Sequence, residues 1–385
     1  MDAKKYVSVI CEYNPFHFGH RFQMDQLKKS FDGVVCIMSG DIVQRGSVAV
    51  ADKYLRAETA LKNGADLVLE LPIPFCCSSA REFARAGVQI ADKIGVTALG
   101  FGAEDDENTL FLIQNCIESV EFQEQLKEIV EENKNISYPQ ALTKLIEHTL
   151  GEKMAEVIKK PNNILSFEYL SALKGTEVKP FIVKREKGFL SSSEIRSRSK
   201  NEILDLLPEE SKNVFEREFD VSFPRNEEKL DSFFIGTLRR INANKTQLCD
   251  IYSTPDDLAK KIISASVKCS SVAELVAFCT DKNYTSARVR RSINSIVFGI
   301  KSSRVTTLPT YTTVLATNEI GREILRIAKK KGEIDIITKP IRALNCKEET
   351  KNAFLFSKGI EDIISLSSPV PKPADEGRNP FIGEE

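Results

Sequence analysis

The chain has 385 residues, 42% of them apolar and 28% charged, with a formal net charge of −1. That length supports two domains and a sizeable core, and the balanced charge excludes a uniformly basic nucleic-acid coat while leaving room for a local basic patch. No apolar run approaches the ~20 residues that span a bilayer, and the opening MDAKKYVSVICEYN lacks a signal-peptide profile, so a cytoplasmic protein with no membrane association is expected. Nine cysteines, scattered and mostly inside apolar runs with no CxxC pair, read as reduced buried thiols, and zinc is not expected.

In chain order, VSVIC (7–11), GVVCIM (33–38), DLVLELP (66–72) and TALGFG (97–102) read as buried strands, with VKPFIVK (178–184) as a fifth. Continuous rather than alternating apolarity suits a parallel sheet covered on both faces. Between the strands lie HRFQMDQLKKSF, ADKYLRAETALKNG and SAREFARAGVQIADKIG, with helical spacing. The last two end in a glycine suited to the left-handed conformation at a helix terminus. Strand and helix in alternation predict an α/β domain of Rossmann type over 1–200.

Beyond residue 200 the pattern turns helical, as in NEILDLLPEESKNVFEREF, LDSFFIGTLRRINA and SARVRRSINSIVFGI. TTLPTYTTVLA and GEIDIITKP, flanking the helix EIGREILRIAKKK, are the strand-like exceptions. A separate, mostly helical domain is expected over 201–366, with a small α/β appendage. The proline- and charge-rich tail, 367–385, is expected to be loosely held.

The whole chain has three histidines, and two of them, His17 and His20, fall in EYNPFHFGH directly after the first strand. A strand that feeds a helix through a tight loop presents the helix's first N–H groups at the sheet's C-terminal edge. Gly19 admits close backbone approach to a phosphate, and both imidazoles can donate to phosphate oxygens that gain charge as pyrophosphate leaves. Pro15 fixes the loop and Asn14 holds its neighbours. The blander alternative is two histidines that merely satisfy a loop.

This H-x-G-H resembles the signature of the nucleotidylyltransferase superfamily. That superfamily also carries a serine-rich motif ending in arginine, and here SSSEIRS (191–197) follows the fifth strand. Ser191, Ser192 or Ser193 can cap a helix there, and Arg196 can clamp a triphosphate bidentately. Taken alone, the segment is an ordinary capping box with a surface arginine.

Seven segments narrow the resemblance: EYNPFHFGH, MSGDIVQRG, DKYLRAETAL, GADLVLELP, SAREFARAGV, FGAE and PNNILSFEYL. In this order they resemble the bacterial tRNA(Met) cytidine acetate ligases, with a weaker match in YTSARVRRSINSI and YTTVLATNEIGREIL. The resemblance implies a carbon–nitrogen bond-forming ligase that activates acetate with ATP. The acetyl group would then pass to N4 of the wobble cytidine of elongator tRNA(Met).

It also implies an ATP site made by the run Ile10, Cys11, Glu12, Tyr13, Asn14, Pro15, Phe16, His17, Phe18, Gly19, His20, Arg21, Phe22 and Gln23, with Gly102, Asn162, Arg185, Ser192 and Arg196. His17, His20 and Arg196 would be catalytic. Gly102 is otherwise a turn glycine, Asn162 a helix cap and Arg185 a solvated surface residue. Gln44 and Arg45, after the second strand, are candidates for the acyl group or tRNA. The family pattern usually has His-Phe where this chain has Asp41-Ile42, so no role is assigned there. Mg²⁺ is expected to arrive with ATP, held by phosphates rather than by a protein metal site.

For tRNA, the resemblance makes the helical domain over 201–366 the candidate binding unit, and within it Tyr284, Arg288 and Arg291 recur at helical spacing and suit an RNA backbone and a splayed base. A solvated helix face is the alternative. Two other functions compete: a nucleotidyltransferase acting on a small-metabolite cofactor precursor, and a non-enzymatic RNA-binding factor that kept the fold.

Overall fold

A computed structural model describes residues 4–132, 138–186, 188–374 and 379–383. Five parallel strands form the body of the sheet: β1 (Tyr6–Cys11), β2 (Gly33–Ser39), β3 (Leu67–Leu71), β4 (Ala98–Ala103) and β5 (Lys179–Lys184). All five expected strands are present. β1, β2 and β3 are buried at every position, as continuous apolar runs require when helices cover both faces. β5 alternates little and is largely accessible because it is the sheet's edge.

The spatial order β5-β4-β1-β2-β3 places β1 between the strand that follows it and the strand that closes the motif. The chain winds outward from β1 through β2 to β3, then returns to build β4 on the other side. Such a reversal opens a crevice at the carboxyl ends of β1 and β4, where ligands of open α/β sheets bind. The helices between are α1 (Phe18–Lys28), α2 (Lys53–Lys62) and α3 (Ala80–Ile94). Ser79 caps α3 by accepting from the Glu82 amide, and Gly95 ends it at φ 81°. Gly87 sits where α3 crosses β1, and a Cβ there would lie 2.5 Å from Cδ1 of Ile10. The bare glycine brings the helix onto the strand that carries the site. α2 is capped by Asn63, and Gly64 follows with the positive φ, 107°, that the expected terminating glycine requires.

The sheet continues past the boundary expected at residue 200. β6 (Tyr311–Thr317) pairs antiparallel with β3, β7 (Asp335–Ile337) extends it, and β8 (Phe381–Ile382) pairs with the other end of β6. The two strand-like runs in the helical half are thus sheet members, not an appendage, and part of the tail is a strand. The cores merge as well: Val35 and Leu67 of the sheet belong to the same apolar cluster as Ile262, Leu275 and Ile293 of the helical region. The physical reason is the open edge of β3, which would expose unpaired backbone groups if β6 did not cover it. Among the described residues no helix is long and apolar enough to cross a membrane.

Candidate active site

The loop after β1 is shaped by one buried cation. Arg56 of α2 is wholly buried and donates to the carbonyls of Glu12 (2.6 Å), Ser39 (3.1 Å) and Ala51 (3.0 Å), and also to that of Gly40. A guanidinium spends its donors on backbone carbonyls that face away from any strand partner, which ties the loops after β1 and β2 together. Asn14 adds a bond from the Val50 amide to its Oδ1 at 2.7 Å. Tyr13 and Phe16 are buried; the Tyr13 ring packs edge-on against Phe16 and His20, and Phe16 lies tilted against His20.

His17 and His20 begin α1 as a capping box built of imidazoles. His17 is the N-cap; its Nδ1 accepts from the Gly19 amide at 3.1 Å, and the His17 amide donates back to Nδ1 of His20 at 3.3 Å. The rings stack with centroids 3.8 Å apart and planes 24° from parallel. Since each Nδ1 is an acceptor, each ring carries its proton on Nε2 and turns an N–H outward. Burial lowers His17 to about 4, with Arg185 adding to the shift, and burial, His17 and Arg185 push His20 well down too. Both imidazoles are therefore neutral donors at pH 7. The backbone at Gly19 is also close to its own loop: a Cβ there would lie 3.0 Å from Cε1 of His17.

The two rings open on a cleft of about 550 Å³ at the carboxyl ends of the strands. Of the run Ile10 to Gln23, the residues lining it are Ile10, Cys11, Glu12, Tyr13, His17, Gly19, His20, Phe22 and Gln23. Arg21 turns away to Asp25 (3.1 Å) and Asn63 (3.2 Å), and Phe18 is exposed. Asn14, Pro15 and Phe16 support the loop from behind.

Gly102, Asn162, Arg185, Ser192 and Arg196 line the same cleft, brought from four separate segments. Asn162 follows Pro161 inside the helix Pro161–Ala172, so it is no cap; its amide donates to Glu104 at 2.9 Å. Its neighbour Asn163 anchors the loop after β4, accepting from the Glu104 amide at 3.0 Å. Arg185 makes no side-chain hydrogen bond among the described residues and is exposed at the cleft. Ser191, not Ser192, caps the short helix Ser192–Arg196. That leaves Ser192 and Ser193 facing the cleft, and Arg196 donating to the Asn14 carbonyl and, at 3.4 Å, to Ser193.

The far end of the cleft is lined by Val43, Gln44, Arg45, Ser47 and Ala80. The Gln44 amide donates to Glu12 Oε1 (2.9 Å) and its side chain to the Ser78 carbonyl (3.0 Å). Asp41 stands outside the cleft: buried, it accepts from the Lys53 amide at 2.8 Å and pairs with Arg225 at 3.1 Å. The Asp41-Ile42 departure is thus absorbed by a structural ion pair.

Tyr284, Arg288 and Arg291 lie on the helix Ser286–Phe298 and its entry turn, and none of the three is among the residues lining the cleft. Tyr284 is pinned to Asp257 by its hydroxyl at 2.6 Å, and Arg288 stacks over its ring at 5.4 Å. Arg291 is half-buried and lies in the field of Arg45 and Arg288. Nε of Arg288 and of Arg291 have no hydrogen-bond partner among the described residues. The three therefore form no single exposed face; their helix instead packs on the QRG loop, with Asn294 donating to the Gly46 carbonyl at 2.8 Å.

The profile of the HIGH Nucleotidyl Transferase family matches residues 4–372. A tRNA(Met) cytidine acetate ligase of Thermoanaerobacter sp. (strain X514) is 33% identical, over 94% of this chain and 95% of that protein. One from Clostridium novyi (strain NT) is 34% identical over 91% and 94%. Among solved structures, Thermotoga maritima TmcAL bound with alpha-thio ATP superposes with a TM-score of 0.87 at 28% identity, covering 98% of this chain and 99% of that one. The apo form of the same protein gives 0.88 at 26% identity, with the same coverage. A shared fold from end to end, carrying the paired imidazoles at the sheet's switch point, places this chain in the HIGH Nucleotidyl Transferase family, among the tRNA(Met) cytidine acetate ligases.

Proposed function

We propose that the protein activates acetate with ATP as acetyl-adenylate and passes the acetyl group to N4 of the wobble cytidine of elongator tRNA(Met). The observation that carries this reading is the stacked His17–His20 pair at the mouth of the cleft, with both Nδ1 atoms occupied by backbone amides. That arrangement leaves two neutral N–H donors preorganised toward one anion, and donors fixed before reaction stabilise charge that develops during it.

In the first step an acetate oxygen attacks the α-phosphorus of ATP and pyrophosphate departs. The Nε2–H groups of His17 and His20 donate to phosphate oxygens that gain charge. Arg185 and Arg196 supply positive charge along the triphosphate, and Ser192 and Ser193 offer hydroxyls beside it. Asn162 and the edge of β4 at Gly102 suit the nucleoside. Mg²⁺ would neutralise phosphate charge. We assign that ion to the nucleotide's own phosphates, since Mg²⁺ keeps waters and phosphate oxygens as its ligands at nucleotide sites.

The second step explains why ATP is spent. The exocyclic amine of cytidine is a poor nucleophile because its lone pair is delocalised into the ring, and a mixed anhydride compensates with a good leaving group. The test is direct: purified protein, ATP, acetate and elongator tRNA(Met) are incubated and the tRNA nucleosides analysed. N4-acetylcytidine, absent when acetate or ATP is withheld, is the expected result. Its absence alongside acetate-dependent pyrophosphate–ATP exchange would favour a small-metabolite acceptor.

For tRNA, the arginines beside the QRG loop are the proposed contact. Arg288→Glu should weaken binding of elongator tRNA(Met) and flatten the log–log salt dependence by about one unit for each phosphate no longer neutralised. Exchange measured without tRNA should fall far less. Equal loss of both would mean a folding defect.

A further inference from the structure

Glu12 is a carboxylate in a cleft proposed for two anions. It follows β1 directly and lines the cleft together with the paired histidines, Gln44 and Arg45. One oxygen, Oε1, is committed to the Gln44 amide at 2.9 Å. The other, Oε2, accepts no hydrogen bond among the described residues, although the charges of Arg196, Arg56 and Arg45 bear on the group. A negative charge there repels both triphosphate and acetate. In the proposed sequence the cytidine nitrogen gains positive charge as it attacks the acetyl carbon, and a carboxylate with one oxygen open to the cleft can take the proton it must lose.

Resting on the functional reading above, we propose that Glu12 is the general base of acetyl transfer, with Oε2 taking the proton from N4 of the incoming cytidine. The N4 lone pair forms the bond to the acetyl carbon. The bond from that carbon to the phosphate oxygen breaks, and its electron pair leaves with AMP. One N4 proton passes to Glu12 and is released to solvent after the products depart.

The surroundings fit this role. The Gln44 amide fixes the rotamer of the carboxyl, and the Gln44 side chain holds its own loop to Ser78 at 3.0 Å. The same loop is gripped from the other side by Asn294 at Gly46, so the wall carrying Arg45 joins Glu12 to the helix Ser286–Phe298. The acceptor base enters past Arg45, from the side on which tRNA is proposed to lie. Burial raises the carboxyl above its ordinary range, with the Gln44 amide, Arg196, Arg56 and Arg45 opposing it, so the group is a stronger base than a solvated glutamate.

The test separates the two steps. Glu12→Gln keeps an oxygen for the Gln44 amide and loses the proton acceptor. Acetate-dependent pyrophosphate–ATP exchange without tRNA reports the first step. Single-turnover acetylation of unmodified elongator tRNA(Met) by enzyme preloaded with ATP and acetate reports the second. Transfer is expected to fall about 10²–10⁴-fold, and by at least about tenfold more than exchange, so the ratio of the two rates is the readout. The wild-type transfer rate should climb with pH through one ionisation to a plateau, and Glu12→Gln should lose that limb. Glu12→Asp should keep the limb at a reduced rate, which guards against a folding artefact in the first variant. Equal loss in both steps, undiminished transfer, or a pH limb that survives in Glu12→Gln overturns the assignment. A wild-type protein that performs neither step overturns the functional reading itself, and the Glu12 assignment with it.

Discussion

His20→Ala is expected to lower acetate-dependent pyrophosphate–ATP exchange by about 10²–10³-fold, the usual cost of removing one preorganised donor from a site where anionic charge develops. The loss should fall on kcat more than on KM for ATP, because the donor matters most when the α-phosphate is pentacoordinate. His20 also accepts from the His17 amide, so the variant gives up one capping bond, worth about 1 kcal/mol of stability. The protein should still fold, and a small shift in its melting temperature beside a large loss of exchange is the signature to look for. His20→Asn offers a shorter side chain that can still accept from the amide. It should recover the stability and not the rate. Exchange within a few-fold of wild type in either variant would remove the imidazoles from the chemistry.

The site was legible in the sequence to the extent that its pieces are contiguous. The continuous apolarity of VSVIC and GVVCIM marks buried parallel strands, and H-x-G-H directly after the first of them marks the switch point. What the spacing did not reveal is why the motif has this form. The imidazoles cap their own helix, and Gly19 makes room for the ring of His17. Arg56 escaped notice because DKYLRAETAL has the charge spacing of a surface helix, yet Lys53 through Leu61 are all buried. Its partners are backbone carbonyls, which no side-chain pattern announces. The place of β6 is hidden for a related reason: a strand that closes an edge from about 240 residues downstream carries no local trace of its partner.

The same blindness to distant partners hides the second large effect. Lys53→Met is expected to destabilise the fold by about 3–5 kcal/mol, the range seen when one member of a buried ion group is removed. Lys53 is 2% exposed and its Nζ bridges Glu70 of β3 at 2.9 Å and Glu361 at 2.7 Å. Glu361 lies on the helix Glu348–Ile364, so this one ammonium links α2, the sheet and the C-terminal helix. Both carboxyls are buried, and Glu361 is held well above the ordinary carboxylate range by burial and by the neighbouring charge of Glu70. Methionine matches the volume of the lysine stem and leaves the two acids without their cation. A group whose folded pKa is raised stabilises fully below its unfolded value and loses that contribution as pH rises towards the folded one. The deficit in Lys53→Met should therefore widen from pH 5 to pH 8, as the acids it strands are forced to ionise. Glu361→Gln in the Lys53→Met background removes one of those acids and should restore part of the loss, giving a coupling well above the additive limit of roughly 0.5 kcal/mol. Denaturant unfolding of the two single variants and the double variant, at both pH values, measures it. Additive free energies with no pH trend would show that the bridge contributes nothing to holding the C-terminal helix against the sheet.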